Sequence, residues 1–465
     1  MGLFRRKGAD RHVLMQQVMT YRGHARALAG LGLPLIGSHI AQIAMGITDA
    51  VMLGWYDVSA LAAETLGFSM YFVLFIVGSG FAFAVMPIVA LAIGQGDEQQ
   101  ARRVTRMGLW ASAGYGVLVM APLIWSRPIF EAIGQEPELA ALAQTYLRFM
   151  AIAMMPSLFV MVFKSYLSAL ERTQVVLWAS VAAAFLNAGL NYILIFGKFG
   201  APELGIAGAG IATAAVSVAL AAALAIYVGL AKTEHEVFRR FWRPDGEAFG
   251  RVFRMGVPIG LTNLAESGLF AGSALMMGWI GAVALAAHGI ALQLTALAFV
   301  MHLGLSQAVT VRVGNALGRR DRVHLVRGAV AAIGVSLILS ALTIALFLAL
   351  PETLVSLFVD PLDPEKPAII AVGVGLMFMA AIFNLGDGGQ VMALGLLRGL
   401  QDIRVPMIMA ALSYWAIGLP MGYVLGFWAG FGPVGIWGGL AGGLFLAGGL
   451  MMWRFWWVML PRVKA

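Results

Sequence analysis

The chain contains no cysteine. That one absence excludes disulfide frameworks, iron–sulfur clusters, thiolate zinc sites and cysteine nucleophiles together. Charge is scarce too: Asp, Glu, Lys and Arg make up 12% of the 465 residues, about half the share of ordinary soluble domains. No nucleotide-binding loop is present, which argues against an ATP-driven machine, and the many glycines form no convincing dinucleotide fingerprint. His235–Glu236 opens like a metalloprotease helix, but the run HEVFR has no second histidine at the fifth position, so no metal is expected there.

What is abundant is apolar. The hydrophobic set supplies 60% of the chain and mean hydropathy is +0.86, values of an integral membrane protein. The 31 Lys and Arg against 23 Asp and Glu give +8, which in a soluble protein would suggest nucleic acid. Here the excess is read as belonging to cytoplasmic loops, and no nucleic-acid partner is expected. The basic start (Arg5, Arg6, Lys7, Arg11) precedes an apolar run, Ala27 to Trp55, too long for a cleaved signal and therefore read as a retained helix.

Apolar stretches long enough to cross a ~30 Å hydrocarbon core predict twelve helices, at 29–54, 59–93, 107–126, 142–169, 174–197, 205–230, 256–279, 283–312, 328–350, 367–397, 404–428 and 433–458. With helix one starting inside, 27 of the 31 basic residues fall on inside segments, Lys164 and Arg398 grouped among them. Only Arg127, Arg148, Lys198 and Lys366 fall outside. This asymmetry places both termini of a multi-pass membrane protein in the cytoplasm.

The sequence also contains itself twice. A shift of 224 residues pairs Gly32–Pro34 with Gly256–Pro258, Met52–Trp55 with Met276–Trp279, Ala60–Ala63 with Ala284–Ala287, Gly94 and Asp97 with Gly318 and Asp321, and Arg103 with Arg327. Over 72 aligned positions, 20 are identical, about twice what composition alone supplies. Six spans separate the copies, so the repeat is parallel, with a pseudo-twofold axis along the membrane normal, as in secondary transporters. The domain reading is an N-lobe at 1–230, an amphipathic cytoplasmic linker at 231–255 and a C-lobe at 256–465.

Three carboxylates stand at membrane depth: Asp49 in GITDAVMLG, Glu266 in NLAESGLF and Asp387 in IFNLGDGGQ. An ionised group there costs at least ~2.5 to 3.5 kcal/mol, so it faces the bundle interior or a watery cavity. Helical spacing adds polar company: Asn263 and Thr262 near Glu266, Asn384 and Gln390 beside Asp387, and Gln42 two turns before Asp49. Such acids can bind a proton, a sodium ion or a cationic substrate in turn; the alternative is a neutral, structural role. Asn187 and Asn191, four apart, either line a pore or bond neighbouring helices. Arg312 reads as an anchor at a helix end, and His39, His288 and His302 as lone, satisfied histidines. The 26 Met and 27 Phe could form an adaptable wall for varied ligands, and Gly435, Gly439 and Gly443 read as close helix packing.

These residues together resemble the MATE family (multidrug and toxic compound extrusion), and more closely its NorM-like branch. The resemblance rests on ITDAVMLGW, LNYILIFGKFG, ALAAHGIALQ, VTVRVGNALGRRD and GDGGQVMALGLLRGLQD, which in order cover most of the chain. It implies two six-helix bundles enclosing a cleft and export of organic cations coupled to entry of Na⁺ or H⁺. It further implies that Glu266 and Asp387 hold the coupling cation, Na⁺ being one candidate, and that Asp49 contributes. Leu53–Gly54 and His288–Gly289 depart from common family forms without removing an acid. The expectation is therefore a monomeric antiporter, not an enzyme, needing no cofactor besides its coupling ion. The alternative is a flippase for lipid-linked precursors, which would want a basic cavity for pyrophosphate.

Overall fold

The structure is a computed structural model that describes residues 19–230, 236–361 and 364–463. The basic residues before 19, Lys232, His235 and Lys464 lie outside these described residues. The described residues are helical, with twelve long helices: α1 Tyr21–Tyr56, α2 Val58–Gln95, α3 Glu98–Ile124, α4 Pro137–Ala169, α5 Thr173–Phe196 and α6 Gly205–Leu230, then α7 Gly246–Ile280, α8 Ala282–Gly318, α9 Arg322–Ala349, α10 Lys366–Gly399, α11 Arg404–Trp428 and α12 Gly432–Arg462. Eleven are long and apolar enough to span a membrane on those grounds alone. The twelfth, α7, has the length but carries Glu247, Arg251, Arg254, Asn263 and Glu266, which dilute its hydropathy. It begins at Gly246, inside the stretch read as linker, because Asp245 caps it by accepting from the Ala248 amide at 3.1 Å.

Helix starts follow the same capping chemistry in both lobes. Asp97 accepts from the Gln100 amide at 2.8 Å to begin α3, and Asp321 accepts from the His324 amide at 2.9 Å to begin α9. These residues are repeat partners, and their backbones agree, with φ −94° and ψ 79° against φ −93° and ψ 84°. Several helices extend beyond the apolar runs that announced them. A helix continues for as long as its backbone bonds close, whereas hydropathy registers only the part suited to lipid.

The lobes meet along one half of their length. Gly80 lies so close to α7 that a Cβ would stand 2.8 Å from Gly260 Cα, and Gly304 so close to α1 that a Cβ would stand 2.9 Å from the Ile36 nitrogen. The 224-residue shift exchanges these two contacts, as a pseudo-twofold axis requires. Across the same seam Gln401 donates to the Pro87 carbonyl at 2.8 Å, Gln307 pairs with His39 at 3.1 Å, and Arg312 meets His24 at 3.1 Å. Among the described residues, the hydrogen bonds and close glycine contacts joining the lobes all fall in the halves nearer the linker. Apolar packing agrees: Leu28, Leu31 and Ile36 of α1 join the C-lobe core, and Met255, Ile259 and Val311 join an N-lobe core, while the cluster built on Leu53, Ala60 and Tyr71 at the other end belongs to the N-lobe alone. The cleft between the lobes therefore opens at the end away from the linker.

Candidate functional site

Asp49 sits on α1 past the seam, buried, and is held from two other helices of its lobe. Asn191 of α5 donates to one carboxylate oxygen and Thr213 of α6 donates to the other at 3.2 Å; the Asn191 amide also donates to Asn187 at 3.3 Å. The two asparagines share a face of α5 because they are four residues apart, and both are buried. A second acid, Glu64 of α2, is buried and close enough for its charge to interact with that of Asp49. Glu64 escaped the sequence reading although LAAETLGF has the same signature, an acid in an apolar run. Thr213 carried no such signal. Gln42 is half-buried near His39 and is not among the groups bonded to Asp49.

The repeat shift carries Asp49 and Glu64 onto Ser273 and His288 of the C-lobe. There they form a neutral pair, His288 Nε2 and Ser273 Oγ at 3.4 Å, while Trp437 donates its indole N–H to His288 Nδ1 at 3.0 Å. His302 is likewise engaged, with the Ala298 carbonyl at 3.0 Å and Ser340 at 3.1 Å. The same two positions thus hold acids in one lobe and a hydroxyl with an imidazole in the other.

The C-lobe places its acids elsewhere, on α7 and α10. Asp387 is buried between Gly386, where a Cβ would stand 3.1 Å from the Phe445 ring of α12, and Gly388, where one would stand 2.6 Å from His302 Nε2 of α8. These glycines let α10 approach its neighbours closely enough to bury the carboxylate. Glu266 faces it from α7, near enough for their charges to interact. Arg398, at the end of α10, interacts with the Glu266 charge and reaches Asn263 Oδ1 at 3.5 Å. Lys164 and Arg398, grouped above with polar segments, both lie within helices. Lys164 is buried in α4, donating to Ser38 Oγ at 3.0 Å.

The two acidic sites differ in how their polar atoms are satisfied. Around Asp49 the side chains bond one another. Among the described residues, the buried Glu266 Oε1, Asp387 Oδ1, both amide atoms of Asn384, both of Gln390 and the Tyr414 hydroxyl of the C-lobe make no hydrogen bond of ordinary geometry. Gln390 and Tyr414 lie near enough to interact with each other, whereas at the Asp49 site Asn191 Oδ1 is the one such atom among the described residues. Tyr414 is wholly buried in a π-helical stretch of α11, Leu412–Gly418, the kind of irregularity that recurs at functional sites. So many orphaned donors and acceptors at membrane depth would each cost free energy unless water or an ion enters. Carboxylate, amide and hydroxyl oxygens suit a hard cation. Among the described residues no group of three or more His, Asp or Glu is gathered as a metal cage; the C-lobe offers two acids with neutral oxygens around them.

Known proteins share the family pattern and the fold. The MatE family pattern matches residues 34–193 and 258–424, one stretch in each lobe. A relative described as a probable multidrug resistance protein NorM, from Rhizobium meliloti (strain 1021), is 45% identical over 457 residues, 97% of each chain. Another of the same description, from Agrobacterium fabrum, is 41% identical over 93% of each chain. Among solved structures, an outward-facing multidrug resistance MATE family transporter of the MOP superfamily superposes with a TM-score of 0.85 at 20% identity, covering 97% of this chain and 99% of that one. The eukaryotic MATE transporter AtDTX14 superposes with a TM-score of 0.83 at 18% identity, covering 93% and 95%.

Proposed function

The chain belongs to the MatE family, and on that premise we propose that it is a secondary active multidrug efflux antiporter that exports organic cations in exchange for Na⁺ or H⁺. The observation that carries this reading is the unsatisfied C-lobe cluster of Glu266, Asp387, Asn384, Gln390 and Tyr414. A site built only for packing would leave few such atoms orphaned, whereas a site that alternates between occupants keeps them ready for each.

The orientation proposed puts both termini and the linker in the cytoplasm of a bacterial inner membrane, with a monomer as the working unit. The seam is then the closed inner gate, and the cleft faces outward. In this state a cation entering down its gradient reaches Glu266 and Asp387, neutralises the negative field that retains a cationic drug, and so releases the drug outside. Asp49, held by Asn191 and Thr213 and coupled to Glu64, answers in the N-lobe. Opening of the inner gate and closure of the outer end complete the exchange. Exchange of one entering cation for a singly charged drug is electroneutral and is driven by the ion's concentration gradient; each charge that enters in excess of the charge exported adds about 2.3 kcal/mol per 100 mV.

Purified protein in proteoliposomes, loaded with a fluorescent organic cation and given either a proton or a sodium gradient, tests this directly. Dye movement should follow one gradient and vanish in Asp387→Asn and in Glu266→Gln with insertion unchanged. Gradient-driven transport undiminished in both variants would end the antiport reading.

A further inference from the structure

On the linker face, outside both acidic sites, the start of α3 and the linker form a pocket of 630 Å³ lined by Arg102, Arg103, Arg106, Arg239, Arg240 and Arg243, with Asp245 the one acid in its wall among the described residues. That volume lies within the ~300–1,000 Å³ of small-molecule sites. Asp245 does not neutralise the pocket, because Arg103 engages both its oxygens, at 2.5 and 3.0 Å, and then reaches Glu247 at 2.7 Å. Glu236 is bonded to Arg239 at 2.6 Å and lies 3.6 Å from Arg102. Arg240 and Arg243 have no ion pair among the described residues.

Arg106 is the decisive member. It is 5% exposed; one terminal nitrogen donates to the Arg240 carbonyl at 2.9 Å, the other lies 3.9 Å from Asp245, and its Nε is buried with no partner among the described residues. A guanidinium in that position retains a donor for an oxyanion, and phosphate oxygens match the arginine fork. The pocket also has an apolar flank. One turn along α3 from Arg106, Trp110 donates to the Phe241 carbonyl at 3.2 Å and packs on the Phe241 ring. Trp242, at 75%, is exposed nearby, and Phe249 and Phe253 are exposed on the first turns of α7. Arginines backed by Trp and Phe where helices begin are the pattern of a membrane interface.

We propose that this pocket binds the phosphate of an anionic phospholipid, whose acyl chains lie along Trp110 and the linker aromatics. The bound headgroup bridges α3 to residues 239–245, so it holds the linker against the N-lobe. The repeat partners of Arg102 and Arg106 are Val326 and Val330, so the site belongs to one lobe only.

The test uses the full-length protein in neutral detergent, with lipid binding read by native mass spectrometry. Phosphatidylglycerol should bind in preference to phosphatidylcholine. Arg240→Gln with Arg243→Gln should weaken it about thirtyfold, since each arginine at an anionic surface contributes a factor of about five. Arg319→Gln with Arg320→Gln, an equal loss of charge outside the pocket, should leave it unchanged. In wild type, phosphatidylglycerol carrying a photoreactive acyl chain should crosslink within residues 107–113 or 236–253. Equal binding in the pocket variant, equal loss in the control, or crosslinks confined to other segments would overturn the proposal. So would displacement of the lipid by glycerol phosphate or inorganic phosphate at matched concentration, which would assign the pocket to a soluble anion.

Discussion

Gly94 packs against Gly318, its own counterpart 224 residues further along. A Cβ on Gly318 would fall 2.8 Å from Gly94 Cα, and one on Gly94 would fall 3.0 Å from Gly318 Cα. A residue can touch its own repeat partner only beside the pseudo-twofold axis, so this contact marks where the axis crosses the seam. Backbone is the obstacle on both sides, and no flexible side chain can move aside. Gly318→Ala should therefore overpack the seam by about 1–3 kcal/mol and shift the protein toward the state in which the linker-side halves separate. The absence of native cysteine allows spin labels at Trp55→Cys and Trp279→Cys, both exposed at the opposite end. The distance between them should shorten or broaden relative to the protein with glycine at 318. An unchanged distribution would show that the seam tolerates the methyl group.

The unequal hydrogen bonding of the two acidic sites predicts unequal responses to truncation. Asn191→Ala removes the donor to Asp49 and leaves a buried carboxylate short of a partner, at a cost of about 1–3 kcal/mol in stability. Asn384→Ala removes a side chain whose amide atoms have no partner among the described residues, and Gln390→Ala one whose side-chain interaction is with Tyr414, so the hydrogen-bond cost should be small while transport falls. Thermal unfolding in detergent beside dye efflux separates the two cases. A large loss of stability in the C-lobe variants without loss of transport would contradict the assignment.

His288 tests satisfied polarity in a core. Its Nδ1 accepts from the wholly buried Trp437, so His288→Leu strands an indole N–H and should destabilise the C-lobe by about 1–3 kcal/mol. Trp437→Phe in the same background removes the stranded donor, and the double variant should recover part of the loss. Strict additivity of the two substitutions would mean that the bond contributes nothing.

The Arg103 guanidinium beside Asp245 holds its carboxyl down at about 2, below the unfolded value of roughly 3.9. The stabilisation this pair contributes is thus fully present above about pH 4 and is lost as pH falls through about 2. Linker protection, measured by hydrogen exchange corrected for intrinsic rates, should be flat between pH 5 and pH 8 in wild type. Asp245→Asn should lower it throughout that range, because Arg103 and the start of α7 lose their shared anchor. Protection that changes in wild type between pH 5 and pH 8 would assign the lock to another group.

Much of the architecture was legible because the determinants are local along the chain. Each span reads directly from its own apolar run, and the duplication from a constant register that still joins Asp97 to Asp321 as matching helix caps. Asp49, Glu266 and Asp387 stood out as acids in apolar helices, whereas Glu64, with the same signature, was passed over and only its place beside Asp49 singles it out. The apolar run of helix seven gave only 256–279, because the polar start of α7 from Gly246 carries Glu247, Arg251 and Arg254, and the charge count put Lys164 and Arg398 on the inside although both are held within helices.

The sequence by itself determined the number of helices, their order, the parallel repeat and the presence of acids within the membrane. Only the tertiary structure decided that Asp49 is bonded while Asp387 is not, that Glu64 stands beside Asp49, that six arginines line one pocket, and that the lobes close at the linker end. Each of these depends on how a helix is rotated and tilted against neighbours distant in sequence. Periodicity assigns a side chain to a face; close backbone packing at positions such as Gly80, Gly94, Gly304 and Gly388 decides what that face meets.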